Sequence, residues 1–386
     1  MKILYHHRIA SKDGQFVHVE ELTEALKRHG HEIIFVGPKV VDESEFGSEG
    51  GFVTKLKKFV PGIAYELMEF CYAFVAYYKL YKAVKTHQPD CLYERYSLYL
   101  PAGIWIKRQF KLPMILEVNA PLFAERSKFD GIALPWLAGW TERYTWRNAD
   151  HVVPVTRVLA EHVIAAGADP DNITVIPNGI NLERFGHFPS TDEAKSKLGL
   201  ENKLVLGFTG FVREWHRLDR VIDLLANKQD GITRHLLLVG DGPVRDSLEQ
   251  HARSLGVSDQ VTITGIVERD KVADFVAAFD IALQPDVVAY ASPLKLFEYL
   301  ALGRAIVAPD TANIREVLSH ENNALLFNSN DMDSAFPAAV ETLCEIPQLR
   351  EQLGDNARKT ITERGFTWDN NACKVIDQFK AMGVTH

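Results

Sequence analysis

Residues 291–308 read ASPLKLFEYLALGRAIVA, and the short apolar run 280–285 stands just before them. Ser292-Pro293 can open a helix, Leu294, Phe297 and Leu300/Ala301 recur on one side at helical spacing, and Gly303 stops it before the strand-like run 305–308. A helix start presents free N–H groups and a partial positive charge. Lys295 in the first turn adds a mobile cation, so the stretch is suited to gripping a phosphate. Glu298 lies one turn further on, where a carboxylate can accept hydrogen bonds from two neighbouring sugar hydroxyls. The same residues also read as a buried helix with a solvated lysine and a surface glutamate.

Outward from this stretch the chain keeps one grammar. Residues 204–208, 236–239, 261–264 and 281–284 read as strands, with helices predicted over 218–225, 244–255 and 271–279 between them. In the first half, 2–5, 32–36, 91–95, 113–119 and 150–156 read as strands and 18–29 and 63–86 as helices, with 11–17 a polar loop around Gly14. Alternation of this kind implies parallel sheets with helices on both faces, so the fold class is α/β with two doubly wound, Rossmann-like domains. Residues 186–200 are polar, carry Pro189, Ser190 and Thr191, and read as a linker. The domains are set at 1–182 and 183–366.

At 386 residues, each domain can bury its own core. With 46% hydrophobic and 24% charged residues the composition is that of a soluble globular chain and argues against disorder. A formal charge of -8 does not suit a general nucleic-acid binder. Basic and acidic residues number 21 and 21 up to residue 180 and 22 and 30 beyond it, so only the second half is acidic. Residues 55–111 hold ten basic and four acidic residues interleaved with Phe and Tyr, which invites contact with an anionic membrane and equally reads as a solvated face. Cys71, Cys91, Cys344 and Cys373 show no zinc or redox spacing and are expected to be reduced thiols. The start, MKILYHHRIA, reads as a strand rather than a signal peptide, and no window offers an uncharged apolar run of about eighteen residues. The expected compartment is the cytoplasm, with any membrane contact peripheral and on the inner face.

SPLKLFEY followed by LALGRAIVAPD resembles the donor-site segment of glycosyltransferase family 4 (group 1 type), retaining enzymes of the two-domain GT-B fold. The run LLLVGDGPVRDSLEQHARSLGVSDQVTITGIV (236–267) and VIPNGIN (175–181), with Phe185 soon after, resemble further family segments. The resemblance implies an interdomain cleft and a C-terminal helix, 367–386, crossing back to the first domain. It implies that Ser292, Pro293 and Leu294 hold a nucleoside diphosphate, and that Glu298, matching the last Glu of a Glu-x7-Glu pattern, holds the ribose. Tyr290 stands where the first Glu, near the transferred sugar, is usual. In the loop from Gly210, Phe211 replaces the usual Arg and His216 takes the place of a Lys, with Arg213 and Arg217 as further cations for the diphosphate. Arg would do this bidentately, although the loop reads as well as a solvated basic loop. Gly240 and Gly242 form the family's glycine turn, and Ile266 and Val267 would offer backbone to the base. Gly14-Gln15 matches one of two usual glycines at the first loop, or is simply a turn glycine. Asn119 occupies the place of a His near the reacting sugar. An Asn can donate but not titrate, so it is assigned positioning, and it reads equally as a turn residue.

The resemblance thus implies a hexose-type transfer from a UDP- or GDP-sugar to a hydroxyl acceptor, a glycan or lipid-linked molecule, in bacterial surface polysaccharide or glycolipid synthesis. No Asp-x-Asp pair sits at a suitable loop, so no metal and no cofactor beyond the donor is expected, and Lys295, Arg213 and His216 supply positive charge to the leaving diphosphate. Two other readings remain: a noncatalytic partner in a polysaccharide assembly complex, and a nucleotide-sugar epimerase. A dehydrogenase does not suit the chain, because no GxGxxG turn follows the first strand.

Overall fold

Apolar runs buried on both faces favour parallel pairing, and every pair of named strands among the described residues is parallel. The computed structural model describes residues 1–9, 14–38, 60–227 and 231–385. They fall into two units, the first comprising Met1–Pro177, Tyr290–Ser292 and Trp368–His386, the second Asn178–Ala289 and Pro293–Thr367.

In the first unit, β1 (Lys2–His6), β2 (Glu32–Val36), β3 (Cys91–Arg95), β4 (Met114–Val118) and β5 (His151–Pro154) form a sheet of order β2-β1-β3-β4-β5. Its core gathers Leu4, Leu92, Met114 and Leu116, all fully buried, with Ala73, Ala76 and Leu80 from the helix Gly62–His87. The direction of winding reverses between β1 and β3. Their carboxyl ends therefore flank an open crevice, where doubly wound sheets place ligands. The C-terminal helix Trp368–Ala381 belongs to this unit and packs on the helix Gly14–Arg28, with Trp368 edge-on to His18 at 4.9 Å and Arg28 paired to Asp369 at 3.0 Å.

The second unit holds β6 (Leu204–Thr209), β7 (Arg234–Val239), β8 (Val261–Ile263), β9 (Ile281–Leu283), β10 (Ala305–Pro309) and β11 (Leu325–Phe327) in the order β11-β10-β9-β6-β7-β8. Here the reversal lies between β6 and β9. The helix Leu294–Ala301 joins β9 to β10 and buries Leu296, Phe297, Tyr299 and Leu300. In the middle of β6, Gly207 lies under the ring of Phe279, which occupies the space a Cβ would need.

Three expectations change. Gly14 and Gln15 are not in a loop but open the helix Gly14–Arg28, exposed in its first turn; the neighbouring positions 10–13 fall outside the described residues. The stretch read as a linker contains a helix, Thr191–Leu198. Ser190 accepts from the Glu193 N–H and Glu193 reaches back to Ser190, a capping box that ends at the left-handed Gly199. Ala194 and Leu200 consequently join the core of the second unit. The division falls after Pro177 rather than after residue 182. Lys55, Lys57 and Lys58 of the basic run lie outside the described residues.

Gly207→Ala forces a methyl group into the Phe279 ring and is expected to destabilise the second unit by about 1–3 kcal/mol, as overpacked cores do. Thermal unfolding should show a lowered transition; a transition at the wild-type temperature would mean that Phe279 has room to move.

Candidate functional site

The reversal point of the six-stranded sheet is built by glycines. Gly210 (φ 119°) follows β6 and Gly240 (φ 140°) follows β7. The Gly210 N–H donates to the Val239 carbonyl at 2.9 Å and the Val212 N–H to the Asp241 carbonyl at 2.9 Å. A Cβ on Gly240 would strike the Gly210 carbonyl, and one on Gly242 the Val212 carbonyl. Backbone thus packs directly on backbone, which only glycine permits. Gly240 also donates to the Thr264 hydroxyl at 3.2 Å, beside the left-handed Gly265. Ile266 follows, more than half exposed, and Val267 packs against the core.

Onto this platform the helix Leu294–Ala301 directs Lys295. Pro293 is its N-cap and no side chain caps the first turn, so its amides face outward. Lys295 Nζ sits 3.9 Å from the ring centroid of Phe208, on β6. A Cβ on Gly210 would lie 3.4 Å from Lys295 Cε, an ordinary contact, so it is the φ of 119° rather than space that calls for glycine here. Burial lowers the Lys295 ammonium to about 7, although Glu298 pulls the other way. Burial likewise raises the Glu298 carboxyl to about 7, against the charges of Lys295 and Arg269. Among the described residues neither side chain makes a hydrogen bond. Two ionisable groups partly withdrawn from water and without hydrogen-bonding partners among the described residues mark a candidate functional site.

Around them stand the residues of the basic loop. The Arg213 guanidinium is sandwiched 4.9 Å from the Phe211 ring and 5.0 Å from the Trp215 ring. His216 corrects an expectation, because it is not a cation here. Burial, then Lys295 and Arg213, drive its imidazole down to about 2, and its Nδ1 accepts the Arg213 N–H at 3.2 Å. Arg217 takes a left-handed backbone (φ 52°) and pairs with Asp219 at 3.4 Å. The three expected cations therefore reduce to two arginines, one of them engaged.

One residue escaped the sequence reading. Gln284, at the carboxyl end of β9 beside β6, is buried, and its side-chain N–H donates to the Asp286 carbonyl at 2.5 Å while its Oε1 finds no partner among the described residues. A polar residue ending an apolar strand at a reversal point was the available signal.

The first unit holds its own polar cluster at the β1/β3 reversal. His6 Nδ1 lies 2.5 Å from Glu94 Oε2, and Glu94 in turn rests against Gly103, where any Cβ would collide with the carboxylate. On β4, Glu117 is the hub of a second set. It accepts from the Tyr93 hydroxyl at 2.7 Å, from Arg95 at 2.5 Å and from the Asn119 amide at 2.5 Å, and faces His18 Nε2 at 2.9 Å. Burial alone would raise its carboxyl, but the charges of His18 and Arg95 hold it well below the usual range. Asn119 is thereby oriented by Glu117. Glu94, Arg95 and Glu117 lie within the runs 91–95 and 113–119 read as strands from the sequence, where no role was assigned to them.

Tyr290 and Ser292 group with this first unit. The Tyr290 hydroxyl donates to Glu125 at 2.6 Å, its carbonyl accepts from the Thr156 hydroxyl at 3.0 Å, and Ser292 is buried. Burial and Glu125 together raise the phenol. A carboxylate thus does accompany Tyr290, supplied by the helix Leu122–Phe129. Gly14 and Gln15 are exposed at a helix start.

Comparison with known proteins agrees with this architecture. The family model "Glycosyltransferase Family 4" matches residues 12–184, and "Glycosyl transferases group 1" matches residues 190–360. An uncharacterized glycosyltransferase of Methanocaldococcus jannaschii is 26% identical over 235 residues, 59% of each chain. A GDP-mannose-dependent alpha-(1-6)-phosphatidylinositol dimannoside mannosyltransferase of Mycobacterium tuberculosis is 27% identical over 250 residues, 64% of this chain and 62% of the relative. The alignments thus span about three fifths of these curated relatives. Among solved structures, Anabaena HepE in complex with UDP superposes with a TM-score of 0.75 at 17% identity, over 99% of this chain and 100% of the other. Two matched family models covering most of the chain, over two Rossmann-like units of GT-B type, make this protein a member of the family 4, group 1 glycosyltransferases.

Proposed function

We propose that the protein is a retaining, metal-independent hexosyltransferase that moves a sugar from a nucleoside diphosphate sugar to a hydroxyl acceptor, with the diphosphate seated at Lys295. The observation that carries this reading is the half-buried lysine over Phe208, at the uncapped start of the helix Leu294–Ala301 and the reversal point of its sheet. In that setting an arriving diphosphate restores the lysine's charge, and the outward amides of the first turn share the load. Gly210, Gly240 and Gly242 keep the backbone close. Ser292, Pro293 and Leu294 form the entry to that turn, and Ile266 and Val267 present backbone to the base. Glu298, one turn on, accepts the ribose hydroxyls, and its raised carboxyl is brought back to the anion by the hydrogen bonds it receives.

For transfer, the glycosidic bond loosens as negative charge grows on the leaving phosphate, which Lys295 and Arg213 stabilise. Arg217 and the neutral His216 shape the same loop. The departing phosphate oxygen takes the acceptor's proton on the face it leaves, so no strong protein base is required. By the family resemblance Asn119, fixed by Glu117, is assigned positioning, and Tyr290, paired with Glu125, takes the chain position of the family's first Glu. No group of three His, Cys, Asp or Glu among the described residues is arranged to hold a metal ion, and the cationic residues named above are suited to the same charge. The relatives point to different donors, one named for GDP-mannose and one solved with UDP, so the base is left to measurement. We place the reaction at the inner face of a bacterial membrane, on a surface polysaccharide or glycolipid acceptor.

A thermal-shift panel of UDP-, GDP-, ADP- and dTDP-sugars tests the reading, since a bound donor raises the melting temperature by mass action. No shift with any of them would overturn it. Lys295→Ala is expected to lower turnover on the order of a hundredfold, as removing a charge-stabilising group does. Glu298→Ala should weaken nucleotide binding with little change in the thermal stability of the protein alone, measured by calorimetric titration of UDP or GDP. Because Lys295 and Glu298 both sit at about 7, and the ligand draws the first to the cation and the second to the anion, affinity should peak near that pH, falling above it as Lys295 loses its proton and below it as Glu298 gains one. Lys295→Arg should abolish the fall on the alkaline side and leave the acid side unchanged; a wild-type affinity with no alkaline fall would remove Lys295 from the diphosphate.

A further inference from the structure

The amino ends of the second sheet border an open pocket of about 300 Å³, on the edge opposite the crevice that holds Lys295. It lies against Leu204 at the start of β6, Thr233 just before β7 and Asp280 just before β9, with Lys195, Lys203 and Arg350 around it. Its volume falls at the lower end of small-molecule sites.

Three cations and one carboxylate meet there, and the carboxylate is engaged. Asp280 accepts from the Val205 N–H at 2.6 Å and pairs with Lys195 at 2.6 Å, and Lys195 also donates to the Lys203 carbonyl at 3.1 Å. That pair cancels, which leaves Lys203 and Arg350. Lys203 Nζ lies 3.4 Å from His235 Nδ1, and burial, then Lys203, lower that imidazole to about 4 against the pull of Asp259, so the lysine's partner is neutral. Arg350 directs Nη1 to the Leu343 carbonyl and, at 3.1 Å, to the Cys344 carbonyl, at the end of the helix Met332–Glu345. Among the described residues its Nε and Nη2 make no hydrogen bond, and neither Arg350 nor Lys203 meets a carboxylate. In the acidic half of the chain, two cations without a counter-charge in one concavity form a field that attracts an anion.

We propose that this pocket binds the phosphate monoester of a small polyhydroxylated molecule, with Lys203 and Arg350 on the phosphate and Asn202 and Thr233 on the hydroxyls. Nε and Nη2 of Arg350 form the fork that matches two phosphate oxygens, and Lys203 supplies a point charge to the third. A monoester carries close to two negative charges at neutral pH, which equals the two cations left over. A carboxylate would leave one of them unmatched. Phosphate by itself would leave most of the volume to water, whereas Asn202, at a left-handed turn (φ 60°), and Thr233 both line the pocket with side chains that make no hydrogen bond among the described residues. β6 runs from Leu204 beside this pocket to Phe208 beneath the Lys295 ammonium, so the pocket is a second site, independent of the donor assignment.

Isothermal titration calorimetry of the full chain with glucose 6-phosphate and with inorganic phosphate tests it. Glucose 6-phosphate should bind the more tightly of the two, and the binding should persist in Lys295→Ala, which weakens the proposed donor site. Lys203→Gln and Arg350→Gln should each weaken it about tenfold, the loss of one charge-assisted hydrogen bond. Arg350→Gln also uncaps a helix end. Lys203→Gln gives up only the contact with His235, so it should melt at the wild-type temperature and carries the comparison. Asn202→Ala with Thr233→Val should weaken glucose 6-phosphate and leave inorganic phosphate unchanged. No binding of glucose 6-phosphate, binding that Lys203→Gln leaves intact, or binding lost in Lys295→Ala would each overturn the proposal. Equal affinity for inorganic phosphate would overturn it too, leaving an adventitious ion only.

Discussion

The close approach of backbone to backbone at the end of β6 sets everything that follows around Lys295. Because Gly240 rests on the Gly210 carbonyl and Gly242 on that of Val212, the loops after β6 and β7 leave no side chain between them. The ring of Phe208 is then the surface on which Lys295 lies, and the Thr209 N–H can donate to the Tyr299 hydroxyl at 3.0 Å, tying the helix Leu294–Ala301 to the strand beneath. A side chain at any of these glycines would push the loops apart and lift the lysine off its platform.

Two ways of handling buried charge appear side by side. Glu117 is surrounded by a hydroxyl, a guanidinium, an imidazole and an amide, and its charge is secured within the fold. Lys295 and Glu298 have no such shell among the described residues, and burial moves both toward neutrality. A satisfied network gives rigidity, whereas an unsatisfied pair gives affinity for whatever completes it. The same contrast separates His216, whose imidazole is kept neutral by burial and then by its cationic neighbours, from Arg213, whose weakly hydrated guanidinium lies between aromatic rings.

The helix Gly62–His87 belongs to a different balance. Turning Glu66 and Glu69 inward satisfies Tyr99, Arg126 and two backbone amides, and it leaves Ile63, Phe74 and Tyr78 on the outside. Its sequence hides this, because Tyr, Phe and Glu alternate with no clean amphipathic period.

The strand and helix alternation, the parallel sheets and the helix opening at Pro293 were all legible in the residues, since local periodicity and helix punctuation are local properties. So were the glycine turn at Gly240 and the placing of Lys295 and Glu298 on one helix. The capping box at Ser190 and Glu193 was equally local and was obscured by polar composition. Tertiary structure alone decided which charges survive: that His216 is neutral, that Tyr290 meets Glu125 and that Glu117 is ringed by Tyr93, Arg95 and His18. Those outcomes depend on desolvation and on partners brought from distant strands, and neither quantity exists until the chain has folded.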